Sequence, residues 1–244
     1  DKFKHKKMAK SKYKRVMLKL SGEVLLGDQD NGIDFDILHA LCGEVVEVAK
    51  MGVEVVIVIG AGNIWRYRDN TGSGIDRVSS DYMGMLATIM NSVAMQSSIE
   101  AQGIYVRVCS ALNIPQVAEP YLRRRAIRHL EKGRIVICSG GTGNPYFTTD
   151  SASALRALEL DCEVLLKATK VDGVYDKDPK KFDDAKRFDS LTYTDVLSMD
   201  LEFMDSAAVS LCKDSKLPIM IFDLTKKGNI QKAVEGESIG TVIN

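Results

Sequence analysis

Short apolar runs alternate with helix-like segments along most of the chain, and this alternation limits the possible folds more than any other feature. The apolar runs predict strands at 15–20, 53–60, 105–110, 134–139, 163–168, 218–222 and 240–244. Between them, apolar spacing and terminal glycines predict helices at 34–52, 81–103, 120–133, 151–160, 205–216 and 228–236. Repeated strand–helix–strand units are right-handed, so we expect an α/β fold with a central, mainly parallel sheet covered on both faces.

The length and composition suit one globular domain. With 244 residues and 45% hydrophobic residues, the chain can build a sizeable core. We expect a single domain over residues 13–244, because the polar stretch 175–192 is too short to link two domains. The first fifteen residues carry eight Lys or Arg and one Asp. We expect residues 1–12 to be a basic, disordered tail with no nucleic-acid partner, since no binding motif accompanies the lysines.

Several functional classes are disfavoured. No stretch approaches the roughly 20 apolar residues of a membrane helix, and no apolar segment follows the charged N-terminus as in a secretory signal. The five cysteines form no CxxC pair and lie mostly in apolar contexts, so we expect reduced, buried thiols in a cytoplasmic protein. The three histidines are far apart in sequence, which argues against a zinc site or a histidine-based triad, and we predict no metal site made by the protein.

Loops rich in glycine and small polar residues follow four of the predicted strands. They are KLSGE at 19–23, GAGNIWR at 60–66, SGGTGNPYFTTD at 139–150 and TKVDGVYDKDP at 169–179. Ligands of open parallel sheets bind beyond the carboxyl ends of the strands, and glycine lets backbone N–H groups approach a phosphate. Together the loops favour one extended site for a polyphosphate, or for two phosphorylated ligands, over four plain tight turns. The P-loop pattern is absent, and GAGNIW lacks the third glycine of a dinucleotide fingerprint.

Charged side chains at these strand ends are candidates for phosphoryl transfer. Lys19 could place its ammonium over a transferring phosphoryl group or extend to solvent, and Arg66 could bind a phosphate with two N–H groups. Asp150 could cap the following helix or hold lysines within the site. Lys167 and Lys170 flank another strand end, and side-chain alternation predicts that only one of them reaches the site. No nucleophile with a matched base is evident, and none is needed if a substrate phosphate oxygen attacks.

Five segments together resemble the bacterial uridylate kinases, a branch of the amino acid kinase family. They are YKRVMLKLSGE, IGAGNIWR, DYMGMLATIMN, GTGNPYFTTD and LLKATKVDGVYDKDP, and the similarity runs from about Tyr13 to Val242. The resemblance implies a three-layer αβα sandwich of the carbamate kinase type and a homohexamer. It implies the reaction of ATP and UMP to ADP and UDP with Mg²⁺, in pyrimidine nucleotide biosynthesis, with GTP as activator and UTP as inhibitor.

The resemblance also assigns residues. It places UMP and oligomer contacts mainly in the N-terminal part and ATP contacts mainly from about residue 150. The implied catalytic residues are Lys19, Asp150 and Arg66. The implied ATP-binding residues are Lys19, Leu20, Ser21, Gly22, Gly62, Arg66, Thr169, Tyr175 and Asp178. The implied UMP-binding residues are Ala61, Asp81, Thr142, Gly143, Asn144, Pro145, Tyr146, Phe147, Thr148 and Thr149. The segment linked to GTP corresponds to Gly27, Asp28, Gln29, Asp30, Asn31 and Gly32.

Two positions depart from the family pattern. Ala61 replaces the middle glycine of the usual GGGN, and Tyr67 stands where a glycine commonly follows the arginine. Alanine is strained if position 61 needs a positive φ, but it serves if only an N–H is needed. Two other functions remain open from the sequence: an amino acid kinase acting on a small carboxylate or carbamate, and a nucleotide sensor without turnover.

Overall fold

A nine-stranded sheet forms the centre of the protein in a computed structural model that describes residues 11–66 and 72–244. The strands are β1 (Arg15–Leu20), β2 (Glu54–Ile59), β3 (Val106–Ser110), β4 (Glu119–Pro120), β5 (Ile135–Ser139), β6 (Val164–Thr169), β7 (Ser190–Leu191), β8 (Ile219–Asp223) and β9 (Gly240–Ile243). Their spatial order is β4-β3-β5-β2-β1-β6-β8-β9-β7. All neighbours are parallel except β8 and β9, which run antiparallel. The sheet is therefore mainly parallel, as predicted.

Helices cover both faces of the sheet. They are α1 (Phe35–Lys50), α2 (Arg77–Glu100), α3 (Arg123–Glu131), α4 (Thr149–Glu159), α5 (Tyr193–Ser198), α6 (Ser206–Asp214) and α7 (Asn229–Glu235). One core packs α1, α2 and α7 against one face, and a second core packs α3, α4, α5 and α6 against the other. The central strands are buried on both faces, which is why they read as continuous apolar runs. The predicted three-layer αβα sandwich is confirmed.

The structure corrects two predicted helix starts. Helix α2 begins at Arg77 rather than Asp81, because Asp76 caps it with its side chain. The first four residues of the helix, 77–80, precede the clear apolar periodicity. The helix predicted from Pro120 begins at Arg123, since Pro120 pairs within β4 at the edge of the sheet.

The chain termini and cysteines bear on the remaining class predictions. Residues 1–10 of the predicted basic tail lie outside the described residues, while the amide of Lys12 donates to the carbonyl of Val234 at 3.0 Å. Within the described ranges, no helix has both the length and the apolar character needed to cross a bilayer. Each of the five cysteines is buried and free of a disulfide, and burial raises the pKa of Cys162 to about 12.

Candidate active site

The four glycine-containing loops lie side by side in space. They follow β5, β2, β1 and β6, which are consecutive neighbours in the parallel part of the sheet. Because parallel strands end at the same edge, all four loops meet beyond the carboxyl ends of these strands. The topology therefore brings together loops that lie up to about 150 residues apart in the sequence.

Two lysines and one aspartate form a buried charge cluster at this edge. Lys19 and Lys167 are register partners on the neighbouring strands β1 and β6, so their side chains point to the same face. Asp150, in the first turn of α4, lies between them: its Oδ1 is 2.6 Å from Lys19 Nζ and its Oδ2 is 2.7 Å from Lys167 Nζ. Lys167 also donates to the carbonyl of Phe203. Of the two lysines that flank this strand end, Lys167 is the one that joins the cluster, whereas Lys170 lines a groove with Glu23, Asp28 and Glu44.

The cluster carries one excess positive charge in a place with little water. Lys19 is 8% and Lys167 is 9% exposed. Burial alone would raise the pKa of Asp150, but the two ammonium groups outweigh burial and hold this pKa below its ordinary 3.8. Burial and the neighbouring charge of Lys19 lower the pKa of Lys167 from its ordinary 10.5, against the attraction of Asp150. A phosphoryl group arriving here would supply the missing negative charge.

Asp150 does not cap α4. The N-cap is Thr148, whose hydroxyl accepts from the amides of Asp150 and Ser151. The carboxylate of Asp150 is thus left for the two lysines. The sequence allowed Asp150 either to cap the helix or to hold lysines within the site, and the structure supports the latter role. Asp205 joins the N-termini of α4 and α6, because it accepts from the hydroxyl and amide of Ser151 and from the amide of Ala208.

Backbone amides at two of the turns have no acceptor within the described ranges of the chain. These are the N–H groups of Ser21 and Gly22 after β1, and of Ala61 and Gly62 after β2. Such groups are suited to bind phosphate oxygens. Ala61 is not among the non-glycine residues with positive φ, so alanine is unstrained there and can still donate its N–H. Tyr67, the other departure from the family pattern, lies outside the described residues.

Gly22 is required by close packing between these two turns. A Cβ at this position would lie 2.5 Å from Oδ1 of Asn63, 2.6 Å from the carbonyl oxygen of Gly60 and 2.8 Å from the amide nitrogen of Gly62. We therefore expect Gly22→Ala to push the two turns apart and lower kcat/KM by about 10- to 100-fold. Steady-state kinetics test this, with Gly43→Ala as the control, because Gly43 lies within helix α1 without a positive φ and a Cβ there meets only the flexible side chain of Gln102, at 3.1 Å. Retention of kcat/KM by Gly22→Ala within about threefold would show that the turns need not touch.

Arg66 is held beside the second turn. Its guanidinium is 2.6 Å from Oε1 of Glu23, and its Nε donates to the carbonyl of Gly62 at 2.9 Å. Next to it, the indole N–H of Trp65 donates to the hydroxyl of Ser80 at 2.9 Å. The side chain of Arg66 is thus held beside the β2 turn by two contacts.

A cleft of about 610 Å³ opens between the β2 turn, α2 and the 141–150 loop. At its floor, Asp81 accepts two hydrogen bonds from Nε of Arg77 at 2.9 Å and one from the amide of Tyr146 at 2.8 Å. Tyr146 has φ of +70°, a conformation that is rare for tyrosine, and the bond to Asp81 helps to hold it. The cleft is therefore lined both by a carboxylate and by the β2 turn.

Further clefts lie on the other side of Asp150. One of about 540 Å³ is lined by Asp150 and residues 196–209, and it adjoins one of about 620 Å³ formed by residues 169–179 and 199–203. Asp150 lines both the 610 Å³ cleft and its 540 Å³ neighbour, so the clefts adjoin in a row, and the carboxylate at their junction is the one that pairs with Lys19 and Lys167. Two ligands bound in this row could meet at Lys19 and Asp150.

Most of the predicted site residues lie along this row, but not all line it. The 610 Å³ cleft is lined by Ala61, Gly62, Arg66, Asp81, Thr142, Asn144, Phe147, Thr148, Thr149 and Asp150. The 620 Å³ cleft is lined by Thr169, Tyr175 and Asp178. Gly143 packs on Ala111, and Leu20 is fully buried, so Leu20 can offer only its backbone. In the segment predicted to respond to GTP, Gly27 and Asp28 line the groove that contains Lys170, whereas the amide of Gly32 donates to Asn63.

Sequence reasoning missed several residues that line the 610 Å³ cleft. They are Glu23, Trp65, Arg77, Ser80, Gly84, Met85, Thr88 and Gly141. Four of them, Ser80, Gly84, Met85 and Thr88, recur at helical spacing on one face of α2. That spacing of small and polar residues, next to Asp81, was the signal available in the sequence.

The chain belongs to the amino acid kinase family, whose model matches residues 14–223. Over nearly its whole length it is similar to solved structures of UMP kinases, which confirms the resemblance drawn from the five segments and the class of enzyme that it implies. The UMP kinase of Bacillus anthracis is 40% identical, with a TM-score of 0.93 and coverage of 95% of this chain and 96% of that one. The UMP kinase of Ureaplasma parvum is 32% identical, with a TM-score of 0.91 and coverage of 95% and 98%. The uridylate kinase of Archaeoglobus fulgidus is 28% identical, with a TM-score of 0.74 and coverage of 94% and 99%.

Proposed function

We propose that this protein transfers the γ-phosphoryl group of Mg·ATP to UMP, giving ADP and UDP, as a step of pyrimidine nucleotide biosynthesis in the cytoplasm. The observation that carries the proposal is the Lys19–Asp150–Lys167 cluster at the junction of the clefts. UMP would lie in the 610 Å³ cleft with its ribose toward Asp81, and ATP would lie on the side of Thr169, Tyr175 and Asp178. The similar UMP kinases support this assignment of substrates.

Catalysis in this proposal is positioning and charge compensation. An oxygen of the UMP phosphate attacks the γ-phosphorus, the bond between that phosphorus and the bridging oxygen breaks, and ADP leaves with the electron pair. The attacking phosphate is already ionised, so no protein base is required. Lys19 and the free amides of the two turns compensate the charge on the transferring group, and Asp150 keeps the two lysines in place.

Mg²⁺ is proposed to enter as the complex with ATP. In the described part of the chain, no group of three His, Cys, Asp or Glu side chains could hold a metal ion, and Asp150 is already engaged by two lysines. Magnesium keeps several waters and commonly binds through substrate phosphates. When bound, the ion would neutralise phosphate charge, while the residues named above orient the two nucleotides.

Self-association as a homohexamer is part of the proposal, supported by an apolar face on α1 and α2. Phe35 is 71%, Met90 is 59% and Leu86 is 48% exposed on this face, which surrounds a groove of about 940 Å³. A surface of this kind is typical of an interface between chains.

We further propose activation by GTP and inhibition by UTP, with the segment 27–32 as the part linked to GTP. Light scattering and rate measurements with each nucleotide test these assignments.

One assay tests the proposed reaction against its alternatives. We expect ADP formation with UMP and little or none with CMP, dUMP or acetylglutamate as acceptor. ADP formation with acetylglutamate would assign the protein to another branch of the family. Saturable binding of UMP without ADP formation would make it a nucleotide sensor. Trp65, the one tryptophan of the chain, lines the UMP cleft and reports binding by its fluorescence without turnover.

Asp81→Asn tests the placement of UMP. The substitution keeps the size of the side chain but removes the charge that binds Arg77, and one amide group replaces an acceptor oxygen. We expect the KM for UMP to rise about 10-fold or more while the KM for ATP changes less than about threefold, because only one cleft is altered. Equal increases in both constants would contradict the assignment of this cleft to UMP. The exposed Asp161→Asn serves as a matched control.

A further inference from the structure

Two buried asparagines form a reciprocal amide pair behind the phosphate-binding turns. Nδ2 of Asn63 donates to Oδ1 of Asn91 at 2.9 Å, and Nδ2 of Asn91 donates to Oδ1 of Asn63 at 2.8 Å. Asn63 is 2% exposed and Asn91 is fully buried. Neither side chain lines the clefts of the row. The pair therefore lies behind the walls of the clefts.

The second N–H of each amide ties the pair to a different segment. Asn91 donates to the carbonyl of Gly60 at 2.8 Å, and Asn63 donates to the carbonyl of Gly32 at 2.9 Å. The amide of Gly32 in turn donates to the carbonyl of Asn63 at 2.8 Å. All four N–H groups of the two side chains are thus used. The β2 turn, α2 and the end of the 27–32 segment are joined through one pair of side chains.

The β2 turn needs an external restraint of this kind. The N–H groups of Ala61 and Gly62, which face no acceptor in the described part of the chain, contribute nothing to holding the turn. The turn is held by the hydrogen bonds of its other groups. One of these is the bond that Asn91, in helix α2, donates to the carbonyl of Gly60. Oδ1 of Asn63 also lies against Gly22, so a shift of the pair would alter both turns at once.

We propose that Asn91 is a positioning residue for phosphoryl transfer, acting through Asn63 and Gly60 to set the amides of Ala61 and Gly62. This inference rests on the proposed function and adds to it a residue that touches neither nucleotide. A merely structural role would affect stability alone. A positioning role affects the rate of the transfer step more than the affinity for UMP, because small displacements of preorganised groups are costly mainly in the transition state.

The test compares Asn91→Ala with Met95→Ala. Met95 is fully buried one turn further along α2, so its replacement removes core packing without reaching the turns. For Asn91→Ala we expect kcat to fall about 10- to 100-fold, with UMP affinity, read from Trp65 fluorescence, changed less than about threefold. For Met95→Ala we expect a lower melting temperature and a kcat within about threefold of the parent at a temperature where both variants are folded.

Hydrogen exchange gives a readout that does not depend on turnover. The bonded amides of Gly60, Ile64 and Trp65 report on the turn, and we expect a peptide covering 58–66 to exchange faster in Asn91→Ala than in the parent or Met95→Ala. If Asn91→Ala does not fold, Asn91→Leu is measured in the same way. Unchanged kcat and unchanged exchange would overturn the inference. A parent protein that does not phosphorylate UMP would refute the proposed function, while the exchange data would still decide the role of Asn91.

Discussion

Replacing Lys19 with alanine is expected to lower kcat by about 10²–10³-fold, the loss typical of removing one preorganised charge from a transition state. The ammonium of Lys19 lies 2.6 Å from Asp150, the residue at which two of the clefts meet and at which we propose that the phosphoryl group is transferred. Its low exposure means that water cannot replace it effectively. Asp150 retains Lys167 in the variant, so no carboxylate is left without a counter-charge.

Lys170→Ala is the matched control for Lys19→Ala. Lys19 is the penultimate residue of β1 and Lys170 directly follows the neighbouring β6, but Lys170 lies in a groove with Glu23, Asp28 and Glu44. We expect its kcat, measured without effectors, to stay within about threefold of the parent. ADP formation at saturating ATP and UMP gives kcat for each variant. If Lys19→Ala were to retain turnover within threefold, Lys19 would have no part in the transfer.

Asp150→Asn is expected to lose at least about 10²-fold in kcat and to lower the free energy of unfolding by about 3–5 kcal/mol, the usual cost of breaking a buried ion pair from one side. The amide leaves two buried ammonium groups, Lys19 and Lys167, on neighbouring strands without their shared counter-charge. The cap of α4 is unaffected because Thr148 provides it. Thermal unfolding and ADP formation are measured on the same preparation.

The pH dependence of stability follows from the same charges. In the parent, the pKa of Asp150 is lowered, so its contribution is present above the ordinary 3.8 and is lost as the pH falls through the folded-state value. In Asp150→Asn, Lys167 loses the attraction of Asp150, so we expect its pKa in the folded protein to fall further below 10.5. Between that folded-state pKa and 10.5, Lys167 binds a proton in the unfolded chain but not in the folded one. The variant is therefore expected to gain stability relative to the parent as the pH rises through this range.

A double variant separates stability from catalysis. Asp150→Asn combined with Lys167→Met removes one of the two like charges, so we expect it to recover much of the lost stability without recovering kcat. Recovery of kcat along with stability would mean that Asp150 serves only to hold the fold. Retention of kcat within threefold by Asp150→Asn alone would also contradict the proposed role.

The sequence was sufficient for the strands of the central sheet because burial on both faces makes them apolar throughout. It was not sufficient for β4 and β7, which have two residues each and no periodicity to detect. Helix α5 was missed for a similar reason: its six residues are too few for an apolar pattern, although Thr192 and Asp195 form a capping box. The start of α2 was placed late because its first turn is polar and precedes the apolar spacing.

The site was predicted where its signal is local and missed where it depends on distant parts of the chain. Glycine-containing loops at strand ends can be seen in the sequence, so it could be predicted that the turns after β1 and β2 and the 142–149 loop lie at one edge of the sheet. The contact of Lys167 with Asp150 depends on how β6 lies beside β1, and alternation could say only that one of two lysines reaches the site. Glu23 and Trp65 lie in the predicted loops 19–23 and 60–66, but no local pattern indicates that their side chains line the cleft.

The pairing of Lys19 with Lys167 also bears on how the sheet assembles. Both lysines face the layer of α4, whereas their neighbours Leu18, Leu20, Leu166 and Ala168 face the layer of α1 and α7. A slip of β6 by one residue would turn Lys167 into that opposite apolar layer and away from Asp150. The ammonium groups thus penalise misaligned strands during folding, so the chemistry of the site and the accuracy of strand alignment are maintained by the same two side chains.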